Sequence, residues 1–145
     1  MSRIKSFKEQ VRRNLVALIS LAIAITSLGY NTWRNEASEH NRNQRLVSIE
    51  ILTMLGDLQK AVLDARYGRE SESREHLRNG WAITLTLRDI AMVAAGEVPE
   101  SADELFTVWS AESSKLRRSE DAQRLIEDAV NEVRRNTHDV LRSLD

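Results

Sequence analysis

The stretch LVALISLAIAITSLGYNTW, residues 15–33, contains no charged residue and decides how the rest of the sequence is interpreted. As a helix it would extend about 28 Å, close to the ~30 Å hydrocarbon thickness of a bilayer. Tyr30 and Trp33, whose amphipathic rings favour the headgroup interface, lie at its C-terminal end, and Arg12 and Arg13 precede its other end. These features predict a transmembrane helix over residues 15–33, with those four side chains at its membrane interfaces.

Two other structures would also use an apolar stretch of this kind. A cleaved signal peptide needs a shorter apolar core before a small-residue cleavage site, whereas Ala22-Ile23-Ala24 lies in the middle of the run. Arg12 and Arg13 resemble the arginine pair of a twin-arginine export signal, but the residues after them lack the rest of that motif. A soluble core helix, apolar on all faces, would need more surrounding protein than the remaining residues supply. We therefore favour an uncleaved single-pass signal-anchor.

The distribution of charge predicts the orientation of this anchor. Residues 1–45 carry eight Lys or Arg against three Glu, a net charge of +5, whereas residues 46–145 carry thirteen cations against nineteen acids, a net charge of −6. Five of the eight cations precede the apolar stretch. The positive-inside rule then places the N-terminus in the cytoplasm and the C-terminal domain in the periplasm, at a cell inner membrane. The basic end suits anionic membrane lipid, and the acidic remainder argues against a nucleic-acid partner.

Small or polar residues recur along one stripe of the predicted span, at spacings of three and four residues. The stripe comprises Ala17, Ser20, Ala24, Ser27 and Asn31. Such stripes let two helices approach closely and hydrogen-bond in lipid. Small residues are frequent throughout the stretch, so a stripe also arises without any partner. Association of two helices through this face is therefore a hypothesis.

The composition of the chain predicts an all-α protein. The residues are 41% hydrophobic and 30% charged, which excludes a disordered chain, and five Gly and one Pro argue against a turn-rich β architecture. We predict four segments: a basic cytoplasmic tail (1–14), the transmembrane helix (15–33), a polar stalk (34–45) and an extracytoplasmic helical bundle (46–145). The stalk is assigned because a helix that is polar all round has no core to join.

The bundle is predicted to be small and antiparallel, with three to four helices. Apolar residues recur at helical spacing from Leu46, and Gly68 is a candidate left-handed stop for that first helix. The second helix is predicted to end at Ala95, and either Ser73 or Asn79 begins it. Its part from Trp81 onward carries two charged residues, which predicts the most buried helix of the bundle.

Two further start signals follow in the sequence. Ser101 and Glu104 form an S-x-x-E capping box that predicts the start of a third helix. Ser119, followed by Glu120 and Asp121, predicts the start of a fourth. The pattern leaves open whether these last two helices are joined by a turn or form one continuous helix.

The bundle contains no recognisable catalytic or metal-binding motif. No cysteine is present, and the three histidines lack the Glu-x-x-His or paired-His spacing of helical metal sites, so no metal or cofactor is predicted. Arg88 and Asp89 are the strongest candidates for a buried polar feature, in which each would pair across the bundle, with Arg66 and Asp64 on the preceding helix as candidate counterparts. The alternative interpretation is an ordinary structural ion pair or an exposed edge of the helix. Arg88 is also a hypothetical contact for an anionic ligand. The large aromatic residues Trp81, Phe106 and Trp109 are assigned to the core.

These features predict a non-enzymatic, single-pass membrane-anchored interaction protein, a small subunit or scaffold of a membrane-associated assembly. Its expected partners are membrane lipid and either another protein or a second copy of the chain. The order of one apolar helix before a helical bundle resembles the periplasmic four-helix sensor domains of bacterial chemoreceptors, in architecture and without a shared motif. That resemblance implies an alternative function, in which the bundle is a sensor that binds a small anionic or amphiphilic ligand between its helices.

Overall fold

Four α-helices make up most of the chain, and the computed structural model describes residues 14–144. They are α1 (Leu15–Tyr67), α2 (Glu70–Ala91), α3 (Val98–Glu112) and α4 (Glu120–Ser143), with one 3₁₀ turn at Ser113–Lys115. Residues 14–144 contain no β-strand, so the all-α prediction is confirmed. The chain has two compact units, and the boundary between them lies within α1, between His40 and Asn41.

The second unit is a helical bundle in which α2 runs antiparallel to the last part of α1. At one end Gln44 Nε2 donates to the carbonyl oxygen of Val93 at 3.0 Å, and the backbone N–H of Ala95 donates to Gln44 Oε1 at 2.9 Å. At the other end Ser73 Oγ donates to the carbonyl oxygen of Ala65 at 3.3 Å. The beginning of α2 therefore lies beside the end of α1, and its end lies beside Gln44.

Helix α4 is also antiparallel to α1. Arg66 Nη1 donates to the carbonyl oxygen of Leu116, just before α4, at 2.8 Å. Arg45 Nη2 donates to the carbonyl oxygen of Leu144, just after α4, at 2.9 Å. With α3 packed against both α2 and α4, the antiparallel bundle of the sequence prediction has four helices.

All four helices contribute apolar side chains to one core. Its buried members are Ile51, Leu55, Leu58, Val62 and Ala65 from α1, Leu87 and Ala91 from α2, Val98, Ala102, Leu105 and Trp109 from α3, Leu116, and Ile126, Val130, Val133 and Val140 from α4. The predicted core position of Trp109 is confirmed, whereas Trp81 and Phe106 are partly buried. Seven residues of α4 are buried against five of α2, so the prediction that α2 is the most buried helix is wrong.

Both predicted starts of α2 are wrong, because the helix begins at Glu70. Only Gly68 and Arg69 separate it from α1, and Arg69 has the extended ψ of 139° that turns the chain. The polar run after Glu70 is an exposed helical face, with Ser73 and Gly80 on its buried side. Glu70 and Glu72 lie in the first turn, where carboxylates interact favourably with the helix dipole.

The prediction that Gly68 has a left-handed backbone conformation is wrong. Among residues 14–144 only Gly96 has a positive φ, of 66°. Gly68 instead meets the carbonyl oxygen of Asp64, which a Cβ atom would overlap. Helix α2 ends at Ala91 rather than Ala95, because the chain after it forms a turn whose backbone groups bond to the side chain of Gln44.

The capping box at Ser101 is also wrong. Helix α3 begins at Val98 with Pro99 in its first turn, a position that needs no N–H donor. Ser101 lies inside the helix, where its hydroxyl donates to the carbonyl oxygen of Glu97 at 3.0 Å. In contrast, the start signal at Ser119 is confirmed, since Ser119 Oγ accepts from the backbone N–H of Ala122 at 3.1 Å. The extended backbone of Ser119 also separates α3 from α4.

We expect Ser119→Ala to lower the free energy of unfolding of the bundle by about 1 kcal/mol, because the N–H of Ala122 loses its acceptor. Thermal unfolding of the full chain in mild detergent, followed by circular dichroism, should show a fall of about 4–8 °C. Ser110→Ala is the matched control, since that exposed hydroxyl bonds only to the carbonyl of Phe106 in its own helix. An equal fall in both variants would contradict the assignment of Ser119 as the cap.

Candidate functional site

The apolar segment of α1, residues 15–33, exposes every one of its side chains. Its most apolar 18-residue window has a mean hydropathy of 1.7, at most two charged residues and none of its residues buried. A core helix would instead be mostly covered by protein. By length and composition the helix is a candidate membrane span, and a signal sequence near the N-terminus meets the same criteria.

The predicted interface aromatics lie together at the C-terminal end of this segment. The ring centroids of Tyr30 and Trp33 are 6.2 Å apart with a 46° angle between the rings, and both rings are exposed. One turn of helix therefore carries two amphipathic rings. Arg12 and Arg13, predicted for the opposite interface, lie outside the described residues.

The five stripe residues, from Ala17 to Asn31, are all exposed on one continuous helix. Their polar members differ from the neighbouring threonines. Thr26 Oγ1 donates to the carbonyl oxygen of Ala22 at 2.8 Å, and Thr32 Oγ1 donates to that of Leu28 at 3.0 Å. Hydroxyl groups bonded in this way are satisfied inside their own helix.

The side chains of Ser20, Ser27 and Asn31 make no hydrogen bond to any residue in the described part of the chain. In hydrocarbon an unpaired polar group is costly, and a polar group of a neighbouring helix is the usual remedy. The stripe thus combines small side chains with three polar side chains that are free to form hydrogen bonds.

Arg88 lies on the surface between α2 and α3 and not in the core. Its Nε is 2.8 Å from Asp103 Oδ1, and its guanidinium carbon lies 4.6 Å from the centre of the Phe106 ring. That ring in turn meets Trp81 edge-on, with 5.9 Å between centroids. Asp103 was not predicted as the counterpart of Arg88, because it lies on the following helix at a position that only packing brings close.

The other members of the predicted polar cluster have separate contacts. Asp64 Oδ2 lies 3.9 Å from His76 Nδ1, and Arg66 bonds to the backbone at Leu116. Asp89 is exposed and makes no ion pair within residues 14–144. These four side chains therefore have separate surroundings. The expectation of a buried polar feature at Arg88 and Asp89 is wrong, and the alternative of a structural ion pair is confirmed for Arg88.

The histidines lie apart from one another. His40 and His138 are exposed, and His76 is half-buried beside Asp64. No group of three or more His, Asp or Glu side chains that could hold a metal ion occurs among the described residues.

Three features of the bundle had no recognisable sequence signal. Gln44, assigned to the stalk, is buried and bonds to both Val93 and Ala95. Gly80 is covered by the ring of Trp109. A basic pocket also lies where the α1–α2 turn meets the α3–α4 connection. Each depends on residues that are distant in sequence, so no local pattern marks it.

No protein-family model, curated protein or solved structure matches this chain.

Proposed function

We propose that this protein is a non-enzymatic, single-pass membrane-anchored subunit or scaffold, whose span and bundle both pack against a partner protein or a second copy of the chain. The observation that carries the proposal is the pattern in residues 15–33: exposed apolar side chains together with three polar groups that lack partners within the described chain. Lipid is a favourable environment for the apolar side chains, whereas Ser20, Ser27 and Asn31 require hydrogen-bond partners that a neighbouring helix can supply.

The proposed location is a cell inner membrane, with a cytoplasmic N-terminus and a periplasmic bundle. Support comes from the charge distribution, with five cations before residue 15 and a net charge of −6 after residue 45. The exposed Tyr30–Trp33 pair suits the membrane–water interface at the end of the span. Membrane lipid is thus one partner.

The bundle also offers a surface for protein contact. Near Gln44 four large apolar side chains are more than half exposed: Leu46, Ile49, Met92 and Val93. Leu46 and Ile49 lie on one face of α1, since residues three apart are neighbours on a helix. Val93 lies in the turn that bonds to Gln44, so apolar groups of both segments are exposed at one end of the bundle. Burying such a surface in an assembly would remove apolar area from water.

Site-specific photocrosslinking tests this proposal, because the chain has no native cysteine that would compete for a label. With a benzophenone maleimide at Ser27→Cys, irradiation of native membranes should yield a discrete protein adduct heavier than the 16.6 kDa chain. Leu28→Cys is the matched control, since residue 28 is 70% exposed and lies about 100° away around the helix.

We expect the yield of protein adduct at Ser27 to exceed that at Leu28 several-fold. Adducts of equal yield at both positions would contradict the stripe as the contact face. The absence of protein adducts at both, together with a monomeric, partner-free protein in mild detergent, would contradict the proposed function.

The contacts of Arg88 give no specific support to the alternative function, a sensor that binds a small ligand between its helices. The guanidinium is already paired with Asp103 and stacked on Phe106. A ligand at this place would have to displace both contacts.

A further inference from the structure

We propose that the bundle contains an anion-binding pocket, specific for a phosphate group, between the α1–α2 turn and the α3–α4 connection. The pocket has a volume of about 360 Å³, within the range of ~300–1,000 Å³ typical of small-ligand sites. Its wall is formed by the first turns of α2 and by residues 113–118, the segment that joins α3 to α4. This inference is independent of the proposed assembly function, because none of these residues lies in the span or near Gln44.

Three arginines line the pocket, Arg74, Arg117 and Arg118, against a single carboxylate among its lining residues, that of Glu70. The side chains of Arg74 and Arg118 make no hydrogen bond or ion pair within residues 14–144. Arg117 Nη1 donates to the carbonyl oxygen of Gly68 at 3.2 Å, a neutral partner that leaves its charge uncompensated. The pocket therefore has an excess of positive charge with free donors.

A serine hydroxyl in the wall of the pocket adds a donor that no protein group uses. Ser113 lines the pocket and is only 4% exposed, yet its side chain makes no hydrogen bond to any residue that the structure describes. The hydroxyl is therefore able to bond to a group inside the pocket. Ser114, next to it, also lines the pocket and lacks a partner in the same range.

The arrangement of donors favours phosphate over a singly charged anion. A guanidinium presents paired N–H groups that match two oxygens of a phosphate, and hydrogen bonds between charged partners are the stronger kind. Two unpaired guanidiniums and a serine hydroxyl can together donate to three oxygens of a doubly charged group. That phosphate group can belong to a free ion, a small ester or a lipid headgroup.

Calorimetric titration of the full chain in a neutral detergent tests the pocket. The probes are inorganic phosphate and glycerol 3-phosphate at about pH 8, where the phosphate is doubly charged, with chloride at matched ionic strength as the blank. We expect Arg74→Gln and Arg118→Gln each to weaken binding by about tenfold or more. Ser113→Ala should also weaken binding while the thermal midpoint stays unchanged, because the hydroxyl has no protein partner to lose.

Glu70→Gln is expected to have the opposite effect and tighten binding several-fold, since it removes the one carboxylate from the wall. Arg78→Gln is the charge-matched control on the same helix, because residue 78 is exposed and does not line this pocket. It should change the affinity by less than about twofold. Equal weakening by Arg78→Gln, or no binding of either probe by the wild-type chain, would overturn the proposal.

A second arm identifies the source of the phosphate group. The full chain is placed in phosphatidylcholine nanodiscs with or without phosphatidic acid, and glycerol 3-phosphate is titrated into each. Loss of its binding in the presence of phosphatidic acid supports the pocket with a lipid headgroup as ligand. Unchanged binding supports the pocket with a soluble phosphate as ligand. Binding in neither disc overturns it.

Discussion

Gly80→Ala should lower the free energy of unfolding of the bundle by about 2 kcal/mol, although alanine is the better helix former. Gly80 is buried in the middle of α2, and a Cβ atom there would overlap Cζ2 and Cη2 of Trp109. Trp109 is fully buried, so the ring can move only by displacing other core side chains. Overpacking of this kind costs about 1–3 kcal/mol, which exceeds the gain of up to about 1 kcal/mol in helix propensity.

Gly56→Ala provides a matched control with the opposite sign. Gly56 also lies inside a helix, but nothing lies within 4 Å of a Cβ at that position. We expect this substitution to stabilise the bundle by about 0.5–1 kcal/mol. Thermal unfolding of both variants in the same detergent gives the comparison, and stabilisation of similar size in both would contradict the close packing of Gly80.

A double-mutant cycle separates this contact from a general effect of the substitution. Trp109→Phe removes the atoms that the new methyl group would meet, together with an indole N–H that has no hydrogen-bond partner among residues 14–144. Gly80→Ala should then cost less in the Trp109→Phe background than in the wild type. Additive effects of the two substitutions would show that the residues do not interact.

Ile23→Arg should abolish translocation of the C-terminal domain, if the chain is the signal-anchor that we propose. Residue 23 lies near the middle of residues 15–33 and its side chain is exposed. Arginine at the centre of a membrane helix costs about 2.5–3.5 kcal/mol, whereas isoleucine is favourable by a few tenths. The change of about 3 kcal/mol corresponds to roughly 100-fold in an insertion equilibrium.

A C-terminal fusion to alkaline phosphatase measures this effect, because the enzyme is active only on the periplasmic side. The wild-type fusion should be active, the Ile23→Arg fusion inactive, and Ser38→Arg unchanged, since residue 38 is exposed in the polar segment. An inactive wild-type fusion would contradict the proposed orientation. Release of the Ile23-substituted and wild-type chains alike into the soluble fraction would contradict the anchor itself.

Several elements follow from short-range patterns in the sequence. The 3.6-residue periodicity predicted one helix for each helix of the bundle, because amphipathic repeats report which face is covered, but it did not give the starts of α2 and α3 or the end of α2. The start of α4 was correct because the capping hydroxyl of Ser119 and the N–H donor of Ala122 are only three residues apart. The start of α3 was missed because Pro99 can occupy the first turn of a helix as well as end the preceding one.

Contacts between residues that are far apart in sequence were not predicted, and the reason is physical. Gln44 looked like a stalk residue because its neighbours in sequence are polar, yet its amide satisfies two backbone groups about fifty residues away. Arg88 was matched with the preceding helix, whereas its partner Asp103 lies on the following one. Rotation of each helix about its axis decides such pairs, and local sequence does not specify that rotation.

The sequence by itself determined that the chain is helical, that residues 15–33 form an uncharged apolar segment with a basic flank, and that α4 begins after Ser119. These properties depend on composition, periodicity and capping, which act within a few residues. Only the tertiary structure decided that Gly80 lies against Trp109, that Gln44 joins the bundle, and that three arginines line one pocket with Ser113. Those features require helices to pack at one relative rotation and offset, which the whole core sets together.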